Sequence, residues 1–315
     1  MEPSATGAGA DAHGSVAVIR RRLHQAVVAI AVVLAVPATA RAEQYQYSMT
    51  ARVRPLLLFW ITRSGVGGAT VTRERAAEHA RYSLLIGSDP DRAPRRINRW
   101  GYIEEEIRGE AAHLIGLMTE SDESSIEEAD ASLRAQSAGR HPFTIIQATV
   151  DGDRASSRVT TIAAPEDYTF RQLGIALDMA RRDPAGGVSR TLRVPSGSRP
   201  GFLVALDEAI RTMSPGPIPY VYHGRLYELR QVRVRKIASA QAGGVAVGQA
   251  AAGDFVITKL KDGEETRFSM TYGTAGRFAG VPLVVTYQPR WWMQVELTIE
   301  NPGASGLTGT EGAER

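Results

Sequence analysis

The sequence predicts a mainly β chain of α+β type, with a few helices set against one antiparallel, curved sheet or half-open barrel. Three observations lead there. Short apolar segments recur between turn formers, several joined by the tight-turn dipeptides Asp151-Gly152, His223-Gly224 and Asp262-Gly263. The closing segment alternates without a break: Trp291, Met293, Val295, Leu297 and Ile299 interleave with Trp292, Gln294, Glu296, Thr298 and Glu300. One face of that strand is therefore apolar and the other mostly polar, and a sheet with one wet face is antiparallel by expectation. Helical spacing, by contrast, is confined to a few short stretches.

Taken in order, Tyr45 to Trp60 is rich in aromatic and aliphatic residues and leads to Gly65-Val66-Gly67-Gly68, where glycine permits a reversal into Ala69 to Thr72. Tyr82 to Ile86 forms a short strand closed by Gly87-Ser88-Asp89-Pro90. Arg95 to Ile103 and Ala112 to Met118 are read as further strands, with the run Glu104 to Glu106 leaving helix open for part of the stretch. Ser124 and Ser125 stand three residues before Glu127 and Glu128, the spacing of a capping box, so a short polar helix is expected to about Gln136. Phe143 to Val150 and Ser156 to Ile162 flank Asp151-Gly152-Asp153 as a hairpin.

A helix is expected over Phe170 to Arg182, where Phe170, Leu173, Leu177 and Ala180 share one face and Pro184 stops the run. Thr191 to Val194 is a strand and Gly201 to Met213 a further helix, before the stiff connector Pro215-Gly216-Pro217-Ile218-Pro219. Tyr220 to Tyr222 and Leu226 to Ile237 pair across His223-Gly224. The uncharged Ala, Gly, Val and Gln stretch Ala238 to Gly253 is read as a flexible loop. Phe255 to Leu260 and Thr266 to Tyr272 form an Asp-Gly hairpin, and Val281 to Tyr287 leads into the closing strand.

The ends of the chain carry a different message. Arg20-Arg21-Arg22 precede an uncharged apolar run, Ala26 to Val36, which lies within the roughly 7–15 residues of a secretory h-region and short of the ~20 of a spanning helix. Pro37 and then Ala40-Arg41-Ala42 complete the pattern, placing cleavage before Glu43. Residues 1–42 are thus expected to be a signal peptide that sends a bacterial chain to the periplasm or medium, with no stable membrane span left after cleavage. A single β-rich domain is expected over 43–300 and a disordered tail over 301–315. The sequence contains no cysteine, which excludes disulfides, thiolate metal sites and cysteine nucleophiles. Its formal charge of +3 is carried largely by the leader's arginines, so the mature chain is near neutral and nucleic acid is not an expected partner.

Candidate chemistry is sparse. Tyr287, Arg290, Trp291 and Trp292 could stack on a ligand or anchor a partner, Trp292 facing out if Trp291 faces in; alternatively both tryptophans close the end of the sheet. Arg95, Arg96 and Arg99, beside Arg92, Asp89 and Asp91, could grip an anion or form a solvated loop with local ion pairs. Arg233 and Arg235 fall together on one strand face, opposite Val232 and Val234, with the same two readings. His79, His113, His141 and His223 lack the close spacing of metal ligands, the acidic run Asp122 to Asp130 lacks a calcium loop's pattern, and no Gly-x-Ser-x-Gly elbow is present. No catalytic residue, metal or cofactor is therefore assigned. Paired carboxylates leave no sequence spacing, so an exported glycan hydrolase using acids such as Glu104, Glu105 and Asp178 is the enzymatic alternative.

The order of features across Arg52 to Thr72, Phe170 to Val194 and Phe255 to Leu297 resembles periplasmic proteins with a curved, half-open antiparallel barrel. Those proteins are similar in turn to bacterial lipoprotein and lipid carriers, whose sheet wraps an apolar cavity. The resemblance is to an architecture and carries over no binding residues, and the stretch Arg95 to Gln136 departs from it as a long insertion able to cover or fill such a cavity. It implies a non-catalytic exported protein that binds an apolar small molecule, an envelope-derived ligand or an envelope protein.

Overall fold

A computed structural model describes residues 41–54, 59–119, 140–165, 168–182 and 187–300. The first half of the sheet comprises β1 (Arg41–Val53), β2 (Ile61–Arg75), β3 (His79–Ser88), β4 (Trp100–Arg108), β5 (Ala111–Thr119), β6 (Arg140–Asp151) and β7 (Arg154–Pro165). Helix α1 (Leu173–Arg181), β8 (Val188–Arg193) and helix α2 (Phe202–Thr212) follow. The second half comprises β9 (Ile218–Tyr222), β10 (Arg225–Ala242), β11 (Val245–Lys259), β12 (Glu265–Gly273), β13 (Pro282–Arg290) and β14 (Met293–Glu300). All fourteen strands form one antiparallel sheet in the order β8-β7-β6-β5-β4-β3-β2-β1-β14-β13-β12-β11-β10-β9. Each neighbour in space is a neighbour in sequence except β1 and β14, which pair from Gln46↔Glu300 to Val53↔Met293.

The sheet is curved and unclosed. Its inner face carries the apolar half of each alternating strand: Tyr47 and Met49 of β1, Ala69 of β2, Leu283 of β13, and Leu297 and Ile299 of β14 share one buried cluster. The outer positions of the same strands are polar, with Gln44, Gln46 and Thr50 on β1 and Gln294, Glu296 and Thr298 on β14. The alternation expected for the closing strand thus holds from Met293 onward. Helix α2 lies inside the curve, burying Ala205, Ala209 and Ile210 against Tyr220, Leu229, Phe255 and Tyr272 of β9–β12. Helix α1 covers the opposite, outer face at β4–β6, where Ala176 and Ala180 meet Trp100, Tyr102, Phe143 and Ile145. It follows a single 3-10 turn at Phe170–Gln172 capped by Thr169, whose Oγ1 accepts from Arg171 N at 3.2 Å while its N–H donates to Gln172 Oε1 at 2.8 Å.

The β9 end of the sheet rolls inward instead of meeting β8. Val221 of β9 and Leu226 of β10 pack on Ala112, Leu114, Ala148, Val150 and Ala155, the inner face of β5–β7. Two glycines make this approach feasible: a Cβ on Gly116 would sit 3.0 Å from His223 Nε2, and one on Gly224 would sit 2.0 Å from Ser157 Oγ. His223 and Gly224 have φ of 51° and 63°, the left-handed pair of a two-residue hairpin turn. A short parallel bridge, Arg199 with Tyr220, ties the segment before α2 to the free side of β9.

Four expectations are corrected. Ala238 to Gly253 is no loop: β10 and β11 continue as a long hairpin that turns at Gly243-Gly244, both with positive φ. Its small side chains serve packing, since Ala242, Val247 and Ala250 press into the cluster of Tyr47, Met49, Leu283 and Ile299. Gly65 to Gly68 does not reverse the chain but lies within β2, where Met49 faces Gly67 and Thr50 faces Ser64, so Gly65 and Val66 form a bulge that turns Val66 into the core. The stretch expected to be a strand from Arg95 begins with a 3-10 turn, Pro94–Arg96, and β4 starts only at Trp100. Glu104 to Glu106 are strand, and the supposed insertion is, to Thr119, the ordinary hairpin β4–β5 in mid-sheet. The leader, the helix expected after Ser124 and the tail from residue 301 lie outside the described residues.

Candidate functional site

Five side chains among the larger exposed apolar residues, Phe59, Trp60, Ile61, Tyr287 and Trp291, gather at one end of the four adjacent strands β2, β1, β14 and β13. The register defines the row: Ile61 faces Val53, Val53 faces Met293, and Met293 faces Arg290. Arg290 and Met293 enclose a two-residue turn made of Trp291 and Trp292. The alternation that the sequence projected through both tryptophans therefore fails, and so does the orientation inferred from it.

Trp292 is buried and Trp291 is 54% exposed, the reverse of an inward Trp291. The turn is pinned by Arg54 N donating to Trp292 O at 2.8 Å and by Gln288 Nε2 donating to Trp291 O at 3.2 Å. Trp292 thus anchors the hairpin while Trp291 projects from it. Tyr287 remains 38% exposed, although desolvation raises its phenol above the ordinary range against the opposing pull of Arg290. The Arg54 guanidinium lies 5.9 Å from the centre of the Trp60 ring, within cation–π reach.

Arg52 and Arg63 are exposed on the same two strands, and no acid occurs between Ala51 and Ser64 or between Tyr287 and Val295. Within these two segments every charged side chain of the aromatic rim is an arginine. Trp291, Tyr287 and Arg290 were legible as candidates from sequence. Phe59, Trp60 and Arg54 were not, although an aromatic pair at the place where two strands must reverse was the available signal.

In the second candidate cluster Arg96 and Arg99 are held in different ways. Arg96 is exposed on the 3-10 turn with φ of 56°, whereas Arg99 leads into β4 with its N–H bonded to Ser88 Oγ at 2.9 Å. Arg95 belongs to the same 3-10 turn. The nearby acids are engaged elsewhere: Arg171 reaches Asp89 and Asp91, each at 3.0 Å. Arg233 and Arg235 lie on the outer face along an open groove of about 570 Å³ shared with Asp254, Ser269, Thr271 and Thr286. A register shift after Gln231 disturbs the simple alternation there, and Val232 and Val234 are also exposed.

Of the carboxylates proposed for hydrolysis, Glu104 and Glu105 are on opposite faces of β4. Glu105 points inward, where its two oxygens accept from Leu203 N at 2.9 Å and Val204 N at 3.0 Å at the start of α2. It caps that helix from a distant strand. Burial pushes its carboxyl up to about 7 from an ordinary 4.5, against the stabilising pull of the backbone donors. Glu104 points outward, accepting from Arg81 at 2.7 Å and from the Tyr102 hydroxyl. Asp178 is a largely exposed residue of α1 beside Arg181. Among the described residues no group of three or more His, Asp or Glu is placed to hold a metal.

An inner cavity of about 60 Å³ remains between α2 and β1–β3, lined by Tyr45, Val71, Leu203, Leu206 and Ile210 among others. Small-molecule sites generally occupy ~300–1,000 Å³. The inner space that a carrier would offer to a lipid is taken by α2 and by the β10–β11 hairpin. Comparison with protein-family models, curated proteins and solved structures gives no match for this chain.

Proposed function

We propose that the protein is an exported, non-enzymatic binding protein of the bacterial envelope that works at its surface, through the rim of Phe59, Trp60, Ile61, Tyr287 and Trp291, and not by enclosing a ligand. The observation that carries this reading is the contrast between two apolar surfaces of the same sheet. The inner one is covered by α2 and the β10–β11 hairpin, whereas the aromatic one at the strand ends faces solvent. An apolar patch rimmed by polar residues marks an interaction site in soluble proteins. Large rings with a polar edge, such as Trp and Tyr, supply binding area at low entropic cost.

The leader-like N-terminal residues support an envelope location, and the polar outer strand faces leave the rim as the sticky part of the sheet. The purified chain is expected to co-sediment with washed envelope fragments, and the double variant W60A/W291A to lose at least tenfold of that retention at unchanged melting temperature. Equal retention of the double variant would overturn the reading, as would a mature product found only in the cytosol.

A further inference from the structure

We propose that the partner of this rim is the surface of an anionic phospholipid bilayer, on which the protein stands by the ends of β2, β1, β14 and β13. The inference rests on the rim being the binding surface and names what it binds. Three features favour lipid over protein. First, every charged residue of the two contributing segments is an arginine, Arg54, Arg63 and Arg290 lying with the aromatic residues, while the acid Glu296 of β14 stands further up the strand beside Arg52. A protein surface is recognised by interspersed donors and acceptors, whereas a layer of phosphates calls for donors alone, and the guanidinium fork matches phosphate oxygens in pairs.

Second, the exposed rings are of the kinds that settle at the boundary of headgroups and acyl chains. Trp60, Trp291 and Tyr287 are amphipathic, and Phe59 and Ile61 add purely apolar depth. Third, on the outer face the apolar character stops abruptly. One step up the strands the outer face carries Thr50 and Arg52 on β1, Thr62 and Ser64 on β2, and Gln294 and Glu296 on β14. Only the tip can enter an apolar layer, and no helix among the described residues is long and apolar enough to cross one. With four strands ~4.8 Å apart, the row is about 15 Å wide, enough to engage several lipid headgroups at once.

The test uses protein-free vesicles. Purified protein is mixed with vesicles of phosphatidylcholine alone or with a quarter phosphatidylglycerol, at low and high salt, and binding is read by flotation. Brominated acyl chains then report whether tryptophan enters the bilayer. Trp100 and Trp292 are buried, so quenching is expected to come from Trp60 and Trp291 and to vanish in W60F/W291F.

At low salt the expected result is at least tenfold stronger binding to the anionic vesicles, reduced by salt, and a further loss of at least tenfold in R54E/R63E. Far-ultraviolet circular dichroism verifies that each variant is folded. Absent vesicle binding, combined with rim-dependent retention on envelope fragments, would refute the bilayer as partner and leave a protein partner for the rim. Vesicle binding unaffected by R54E/R63E and W60A/W291A would refute the rim itself.

Discussion

Two groups desolvated at the inner face titrate in opposite senses, and their cancellation can be measured. Glu105 has its carboxyl raised from 4.5 to about 7 by burial, so between those pH values the folded chain holds a proton that the unfolded chain has lost. Stability from this group is fully present below pH 4.5 and declines as pH rises toward 7. His223 is depressed from 6.5 to about 3, chiefly by burial and secondarily by Arg225, so between those values the unfolded chain binds a proton that the folded one refuses. Its contribution is present above pH 6.5 and is lost as pH falls toward 3. Each effect amounts to about 1.4 kcal/mol per pH unit, and the two overlap between about pH 4.5 and 6.5.

Urea unfolding followed by circular dichroism should therefore find the wild type nearly flat across that window. His223→Asn keeps a residue suited to the left-handed turn and removes the imidazole, so its stability should fall by about 3 kcal/mol from pH 4.5 to 6.5. Glu105→Gln should show the opposite slope, of similar size. Parallel pH profiles for all three proteins would refute the burial of both groups as described. Carboxylates held low by cations, such as Glu106 with Arg108 and Glu208 with Arg199, lose their contribution only below the ordinary carboxylate range and leave this window alone.

A Cβ added at Gly201 would stand 2.2 Å from the Glu105 carboxyl carbon, displacing it from two amide donors, so Gly201→Ala should cost about 3–5 kcal/mol by urea titration. Gly174 in α1 has open space around it, and Gly174→Ala should stabilise by about 1 kcal/mol; equal effects of the two would remove the cap argument. At the rim, Trp292→Ala should cost about 3–5 kcal/mol of stability and Trp291→Ala under about 0.5, the contrast of anchor and projection. Ala250→Asp, at a position 1% exposed, should cost more than about 3 kcal/mol if the β10–β11 hairpin fills the sheet, and close to nothing if that segment were a loose loop.

Hairpins whose turn and strand signals coincide were readable from the chain. Asp151-Gly152-Asp153 and His223-Gly224 turn where expected, and the helix expected from Gly201 begins at Phe202, whereas the one expected from Phe170 opens with a 3-10 turn and becomes α-helical only at Leu173. Two of the failures share one cause, which is that glycine and alanine mark either freedom or close approach, and only the fold decides which. Gly65 serves a bulge, Gly116 admits His223, and the alanines of β10–β11 let a hairpin lie against Tyr47 and Leu283. Glu105 was legible only as one of several acids a hydrolase could use, and its capping role was not, because its partners are amides on a helix almost a hundred residues away. At the rim, half of the aromatic row was visible in Tyr287 to Trp291. The other half depended on β1 pairing with β14, a contact that no local pattern announces.

That seam between first and last strands also fixes the order in which the molecule can be completed. β1 has hydrogen-bonded partners on both sides only once Met293 to Glu300 has arrived, so β14 must have been made before the middle of the sheet can close. Conversely, the true margins of the sheet, β8 and β9, are consecutive in the chain. Joining β14 to β1 by a short linker and cutting near Gly197 would give a permuted chain whose strands assemble in plain succession from one margin to the other, with every pairing local, and such a molecule should fold faster while keeping the same strand pairings.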